Sequence, residues 1–204
     1  IILACTIAFV IVITIGCMGP KAFNRLAKNE EKKSPDVVPY LKLKKGDTVA
    51  DLGAGGGYFS FKLAQAVGDE GKIYAVDISK KSISFIQNKA KEKGITNVET
   101  VLATFNDSQL KDKSVDVVFI RNAYHDFHNR VPYFKKLKSV FKGNGRLIVI
   151  DYEPNKLGFI RRQFGHALQE DIIKTELKQA GYELLESHNF LKQQSFNIFK
   201  VVHN

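Results

Sequence analysis

The sequence predicts an α/β fold with a doubly wound, mostly parallel sheet that ends in an antiparallel hairpin. Short apolar runs alternate with amphipathic segments five times between Thr48 and Asp151, a pattern typical of parallel sheets covered by helices. Two further strand-like runs follow the last helical segment with no helix between them, which predicts the hairpin. The chain has 204 residues, 44% of them hydrophobic, and this suffices for one domain with a substantial core.

Residues 1–20 are predicted to be an apolar membrane anchor or signal segment, because Ile1 to Gly19 carries no charge and approaches the length of a bilayer span. A cleaved signal peptide and a lipoprotein signal ending at Cys17 remain as alternatives. Basic residues outnumber acidic ones just after Pro20, which is typical of the cytoplasmic side of a membrane. We therefore expect a membrane-anchored chain with its domain in the cytoplasm; the alternatives are a lipoprotein or export through a signal peptide.

Residues 21–35 are predicted to form a polar linker helix that breaks at Ser34 and Pro35, and residues 36–204 form the main domain. A short helix should reach Leu41 before the first strand. The predicted strands are Thr48–Asp51, Lys72–Asp77, Asn97–Leu102, Val115–Ile120, Arg146–Asp151, Tyr182–Leu191 and Ser195–Val202.

Four amphipathic segments connect these strands, each with apolar residues at helical spacing. Ser79 is the expected N-cap of the second segment, Gly94 its C-cap, and Gly143 to Gly145 a turn before the fifth strand. The four predicted buried stripes are Phe59, Leu63 and Val67; Ile83, Ile86 and Ala90; Phe134, Leu137 and Phe141; and Leu168, Ile172, Ile173 and Leu177.

The main motif is an acid followed by three alternating glycines, Asp51-x-Gly53-x-Gly55-x-Gly57, at the end of the first strand. Glycines allow positive φ and close approach of a ligand to the backbone. The dinucleotide pattern G-x-G-x-x-G would need a glycine where Tyr58 stands, so an NAD site is disfavoured. A second acid, Asp77, ends the next strand, where it would accept hydrogen bonds from ribose hydroxyls.

This pairing of motifs resembles the class I S-adenosylmethionine (SAM) dependent methyltransferases, over about residues 36–204. The resemblance implies a Rossmann-like, seven-stranded sheet with an antiparallel C-terminal hairpin, and SAM as the cofactor. It implies cofactor contacts from Asp51, Gly53, Gly55, Gly57 and Asp77. The family often places an acid near Thr104 to bind adenine; here Asn106 or Asp107 would substitute.

The loop after the fourth strand, Asn122-Ala123-Tyr124-His125-Asp126, resembles an Asn-x-x-His-His segment of small-molecule, quinone and lipid methyltransferases. The resemblance implies that Asn122 contacts the cofactor and that His125 is the general base, oriented by Asp126. The alternative is that His125 only shapes the pocket. No metal site is predicted, because the spacing of His125, Asp126 and His128 is not distinctive.

Two later groups of residues also bear on the acceptor. Arg161, Arg162 and His166 would suit a phosphate or carboxylate, or simply be exposed loop residues. The two cysteines, Cys5 and Cys17, lie in the apolar segment, so the domain has no disulfide or cysteine zinc site. It also lacks the thiols that cytosine-C5 and arsenite methyltransferases use.

The formal charge of +10 is spread over scattered lysines without an interleaved aromatic stripe, so a nucleic-acid partner is not expected. We therefore predict SAM-dependent methylation of a small or lipid-like acceptor, of the phospholipid or quinone type, near the membrane. The alternatives are an RNA or protein methyltransferase, or a non-catalytic SAM-binding regulatory module.

Overall fold

The structure is a computed structural model that describes residues 19–157 and 166–202. Most of the predicted anchor, with Cys5 and Cys17, lies outside the described residues, as do Arg161 and Arg162. None of the helices within the two described ranges is long and apolar enough to cross a bilayer.

One seven-stranded sheet organises the described residues, with the strand order β3-β2-β1-β4-β5-β7-β6. The strands β1 to β5 are parallel, and β7 pairs antiparallel with both β5 and β6. This confirms the predicted doubly wound sheet with its antiparallel hairpin. The strands span Thr48–Leu52 (β1), Lys72–Asp77 (β2), Val98–Leu102 (β3), Val115–Arg121 (β4), Phe141–Tyr152 (β5), Tyr182–His188 (β6) and Gln194–Val201 (β7).

Five α-helices accompany the sheet in the described ranges: Pro20–Glu31 (α1), Tyr58–Val67 (α2), Lys80–Glu92 (α3), Arg130–Leu137 (α4) and Glu170–Gln179 (α5). Short 3₁₀ turns lie at Val38–Leu41, Tyr124–Asp126, Lys138–Val140 and Pro154–Lys156. The predicted N-cap is confirmed, since Ser79 Oγ accepts the Ser82 N–H at 3.3 Å.

Helices cover both faces of the sheet because successive strand side chains point to opposite sides. On β4, Phe119 joins a core with Leu63 of α2, whereas Ile120 joins a second core with Phe134 and Leu177. All five side chains are buried. Helices therefore pack on both faces of the central strands, and ligands of such sheets bind at the loops that follow the carboxyl ends of the strands.

Two element predictions were wrong in detail. Phe141 begins β5 rather than ending a helix, because Val115 pairs with Phe141 and Val117 with Arg146, leaving the predicted Gly143 turn inside a bulged strand. A bulge inserts extra residues without ending the pairing, so the glycines there do not mark a separate turn. Leu168 precedes α5 rather than lying in its buried stripe.

Candidate functional site

The glycine turn lies between β1 and α2, as predicted. Gly53, Gly55 and Gly57 have φ values of 85°, 57° and 78°, in the left-handed region. A Cβ atom on Gly53 would lie 2.6 Å from the Ala123 Cβ, so this position requires glycine for space as well as for conformation. The turn therefore lies directly against the loop that follows β4.

Asp77 ties the turn to the end of β2. Its Oδ2 accepts the Gly55 N–H at 2.8 Å, and its Oδ1 accepts the Ser79 N–H at 2.8 Å. Burial raises the pKa of Asp77, although the two backbone donors oppose this. A half-buried acceptor at this point fits the predicted contact with ribose hydroxyls.

Asp51 lies beneath the turn rather than at its surface. Its side chain accepts the Ser60 Oγ–H at 2.5 Å, and the residue is only 4% exposed. Burial, with the negative charge of Asp77 nearby, raises the pKa of Asp51 to about 7. Asp51 therefore joins β1 to α2, and its predicted contact with the cofactor stays a prediction.

Helix α1, predicted only as a linker, packs on the glycine turn. A Cβ on Gly55 would lie 3.5 Å from Phe23 Cβ, and one on Gly56 would overlap Asn24 Oδ1 and the Pro20 carbonyl oxygen. At the other end of the helix, Glu31 accepts hydrogen bonds from the side chains of Tyr58 and Lys62 on α2. The helix thus forms one wall of the site.

Asn122 links three elements where β4 ends. It adopts a φ of 54°, in the left-handed region that asparagine tolerates better than most residues. Its Nδ2 donates to Glu30 Oε2 of α1 at 2.9 Å, and its Oδ1 accepts a hydrogen bond from Gln194 of β7. The predicted cofactor residue therefore lies at the junction of the turn, α1 and the sheet.

His125 is held by a buried carboxylate that sequence reasoning did not assign to it. Asp151, fully buried at the end of β5, accepts the His125 backbone N–H at 2.8 Å and faces its Nδ1 at 2.7 Å. Because a carboxylate only accepts, Nδ1 carries the proton and Nε2 is left unprotonated in the neutral ring. Burial disfavours the charged ring, but the hydrogen bond and charge of Asp151 outweigh it and raise the pKa of His125.

The Nε2 side of that ring faces two exposed groups, which with it form the His125 cluster (His125, Asp126 and His166). Asp126 Oδ1 lies 3.5 Å from His125 Nε2 and 3.7 Å from His166 Nδ1. The sequence predicted that Asp126 orients the His125 ring. In the structure Asp151 makes that contact instead, at Nδ1 of the ring. One ligand atom from each member lies within 4.8 Å of the others, so the cluster is able to share a proton or bind a cation.

Neighbouring contacts fix the loop that carries His125. Tyr124 is fully buried, and its hydroxyl donates to Glu176 of α5 at 3.1 Å. Arg130 binds the same carboxylate through two nitrogens, at 2.7 and 2.9 Å. The loop is therefore fixed on the α5 side as well as by Asp151.

The predicted adenine contact, Asn106, lies exposed on the turn between Thr104 and Asp107, and its role stays a prediction. Three exposed apolar side chains lie near it that the sequence reasoning missed: Ile78 at 50%, Leu102 at 42% and Phe105 at 65% exposure. Asp77 and Leu102 are register partners at the ends of β2 and β3. Ile78, which directly follows β2, therefore lies near Leu102. Such exposed apolar groups suit the faces of an aromatic base. Ile78 directly follows Asp77 in the sequence, and an apolar residue at that point was the signal that could have predicted an apolar surface for the base.

The geometry fits the expected cofactor: a glycine turn, a ribose acceptor, apolar groups for a base and an enclosing helix. A family model described as a methyltransferase domain matches residues 43–200. Among solved structures, a SAM-dependent methyltransferase from Aquifex aeolicus is 25% identical, with a TM-score of 0.81 over 91% of this chain and 100% of that one.

Two curated relatives are similar in sequence. An arsenite methyltransferase of Halobacterium salinarum is 27% identical over 84% of this chain and 42% of its own length. A demethylmenaquinone methyltransferase of Geobacillus stearothermophilus is 27% identical over 61% of this chain and 53% of its own length. The chain thus spans about half the length of the curated relatives it matches.

Proposed function

Since the chain belongs to the methyltransferase-domain family of SAM-dependent enzymes, we propose that it methylates a hydroquinone-type acceptor with His125 as the general base. The observation that carries this proposal is the contact of His125 with the buried Asp151. When bound, SAM supplies a methyl group, which is transferred from its sulfonium sulfur to the acceptor atom that attacks the methyl carbon. In this proposal, SAM is held by the three glycines of the turn, Asp77 and Asn122.

The proposed task of His125 is to take the proton of an acceptor hydroxyl on Nε2. Removing that proton makes the oxygen, and the ring carbon next to it, nucleophilic. If the carbon takes the methyl group, the proton on that carbon then leaves, which restores the aromatic ring. Asp151 holds the ring in the required tautomer and stabilises the imidazolium that forms. The resulting charge pair is favourable because the carboxylate is already buried and held by the backbone N–H groups of His125 and Tyr152.

The acceptor class draws support from a curated relative, named for demethylmenaquinone, and from the chemistry of the site. Another relative is named as an arsenite methyltransferase. Arsenite is disfavoured as the acceptor here, because both cysteines of the sequence precede the domain and the domain itself has no thiol to hold arsenic. A phospholipid amine stays as the alternative acceptor, since it would need the same base. A purely regulatory module would not need the His125 contact with Asp151. RNA and protein acceptors stay as alternatives.

Membrane proximity is part of the proposal. It is supported by the uncharged run at residues 1–19 and by two apolar side chains on α1, Phe23 and Leu26, exposed by 39% and 42%. Lys21, Arg25 and Lys28 lie on the same helix, and a helix with exposed apolar and basic residues suits an anionic bilayer surface. We propose a membrane-anchored chain with the catalytic domain on the cytoplasmic side, where SAM is made; a lipoprotein or an exported form is the alternative.

The test compares His125→Ala with His128→Ala, an exposed histidine three residues later, in full-length protein in anionic vesicles. Loss of a general base should lower kcat about 10²–10⁴-fold in the first variant, and the second should retain the wild-type rate. Binding of S-adenosylhomocysteine (SAH), the product, should be unchanged in both. Wild-type turnover by His125→Ala would show that the ring only shapes the pocket.

A further inference from the structure

The wall between α1, the glycine turn and the end of β4 contains a buried cation with two unsatisfied donors. Arg121, the last residue of β4, is only 8% exposed. Its Nη2 donates to Gln194 at 3.1 Å, but its Nε and Nη1 meet no hydrogen-bond partner in residues 19–157 and 166–202. A buried N–H group without a partner is costly, so this arrangement calls for a ligand.

Arg121 lies next to the glycine turn. Its guanidinium carbon lies 4.6 Å from the ring centroid of Phe59, two residues after the last glycine of the turn. Two residues beyond Arg121, Ala123 abuts Gly53. The unsatisfied nitrogens are therefore close to the part of the turn that faces α1.

A second unsatisfied group, of opposite character, lies on α1. Asn24 Oδ1, against Gly56, is buried and finds no hydrogen-bond donor among the described residues. It is an acceptor, whereas Arg121 offers two donors and a positive charge. One carboxylate and one ammonium on the same ligand would satisfy both groups.

We infer that Arg121 binds the carboxylate of the amino-acid end of SAM and that Asn24 accepts a hydrogen bond from its ammonium. The Nε and Nη1 edge of a guanidinium matches the two oxygens of a carboxylate, a bidentate contact that lysine does not reproduce. This inference depends on the cofactor alone, not on the acceptor proposed above. Arg121 is thus a positioning residue for the cofactor, and Asn24 makes α1 part of the binding site.

A competing role for Arg121 is to hold α1 by attraction to Glu30 and Glu31, whose charges oppose the lowering of its pKa by burial. Lys62 offers a matched control, because it is a cation of the same region that pairs with Glu31 of α1 and with Asp36. A residue that only docks α1 should affect every adenosyl ligand equally. A residue that binds the carboxylate should affect only ligands that carry it.

Calorimetric titration of the full-length protein with SAH and with its decarboxylated analogue separates the two roles. Wild-type protein should bind SAH about 10- to 100-fold more tightly than the analogue, as expected for a charge-assisted pair. Arg121→Gln should abolish that preference by weakening SAH alone, whereas Lys62→Met should leave the ratio unchanged. Thermal unfolding of each variant shows whether it is folded.

Two results would overturn the inference. The first is that the wild-type protein binds SAH and the decarboxylated analogue with equal affinity. The second is that the Arg121→Gln variant binds both ligands more weakly by the same factor, which would show that Arg121 serves to hold α1 instead. Both readouts are independent of turnover, so failure of the acceptor proposal would leave them unaffected.

Discussion

Replacing Asp151 by asparagine should remove the base by reversing the tautomer of His125. Asp151 accepts from His125 Nδ1 at 2.7 Å and from the His125 N–H at 2.8 Å, and it is fully buried. The asparagine amide is able to donate to Nδ1, which then leaves the proton on Nε2. Loss of a charge-assisted hydrogen bond of about 1.5–3 kcal/mol corresponds to about one to two pKa units.

The sign of the pH effect follows from the raised pKa of His125. The neutral ring is the active form, so kcat/KM should rise with pH through a pKa above the ordinary imidazole value of about 6.5. In Asp151→Asn the plateau of kcat/KM should fall on the order of 10²-fold or more, and the acid limb should move to lower pH. Stopped initial-rate assays between pH 5 and 9 measure both quantities.

Asp126→Asn is the matched control for this experiment. Asp126 also faces the ring, at 3.5 Å from Nε2, but its side chain is 64% exposed and solvent screens its charge. We expect a small downward shift of the acid limb and a rate within a few-fold of wild type. An Asp151→Asn enzyme with an unshifted acid limb and an intact plateau would refute the assignment of His125 as base.

Three further outcomes are expected. Gly53→Ala should lower the affinity for SAH at least 10-fold in calorimetric titrations, because the new Cβ would lie 2.6 Å from the Ala123 Cβ. Gly46→Ala is the control, since Gly46 has the same φ of 85° but open space around it. It should cost only about 1–2 kcal/mol of stability. Because burial raises the pKa of Asp51 to about 7, the contribution of Asp51 to the free energy of unfolding should fall as pH rises from about 4 through 7. Asp51→Asn should lack this slope in urea titrations, and equal slopes would contradict the burial argument. Removing divalent cations with a chelator should leave kcat unchanged, because the His125 cluster acts through a proton; reactivation by one added cation would instead identify a metal site.

Sequence patterns predicted the sheet well because the strands of this fold are short apolar runs that end in recognisable residues. Asp51 and Asp77 marked the ends of β1 and β2, and both lie there. The error at Phe141 has a physical origin: its spacing from Leu137 suits a helix, while pairing with Val115 places it in β5. Local period does not reveal a bulge that only the neighbouring strand creates.

The site was harder to predict where partners are distant in sequence. The contact of Asp151 with His125 joins the ends of two adjacent strands, and sequence proximity pointed to Asp126 instead. Likewise, nothing in the polar sequence of α1 revealed that Asn24 would pack against the glycine turn. Such contacts follow from strand order and helix docking, which single-sequence patterns do not contain.

Methyl transfer to a demethylated naphthoquinol tests the central claim most directly. The full-length protein in anionic vesicles would receive SAM with a deuterated methyl group, and mass spectrometry would follow the label in the extracted lipids. We expect the label in the quinol, dependent on His125 and absent with heat-treated protein. Labelled phospholipid with unlabelled quinol would contradict the proposed acceptor, and no labelled product from protein that binds SAH would contradict the catalytic assignment.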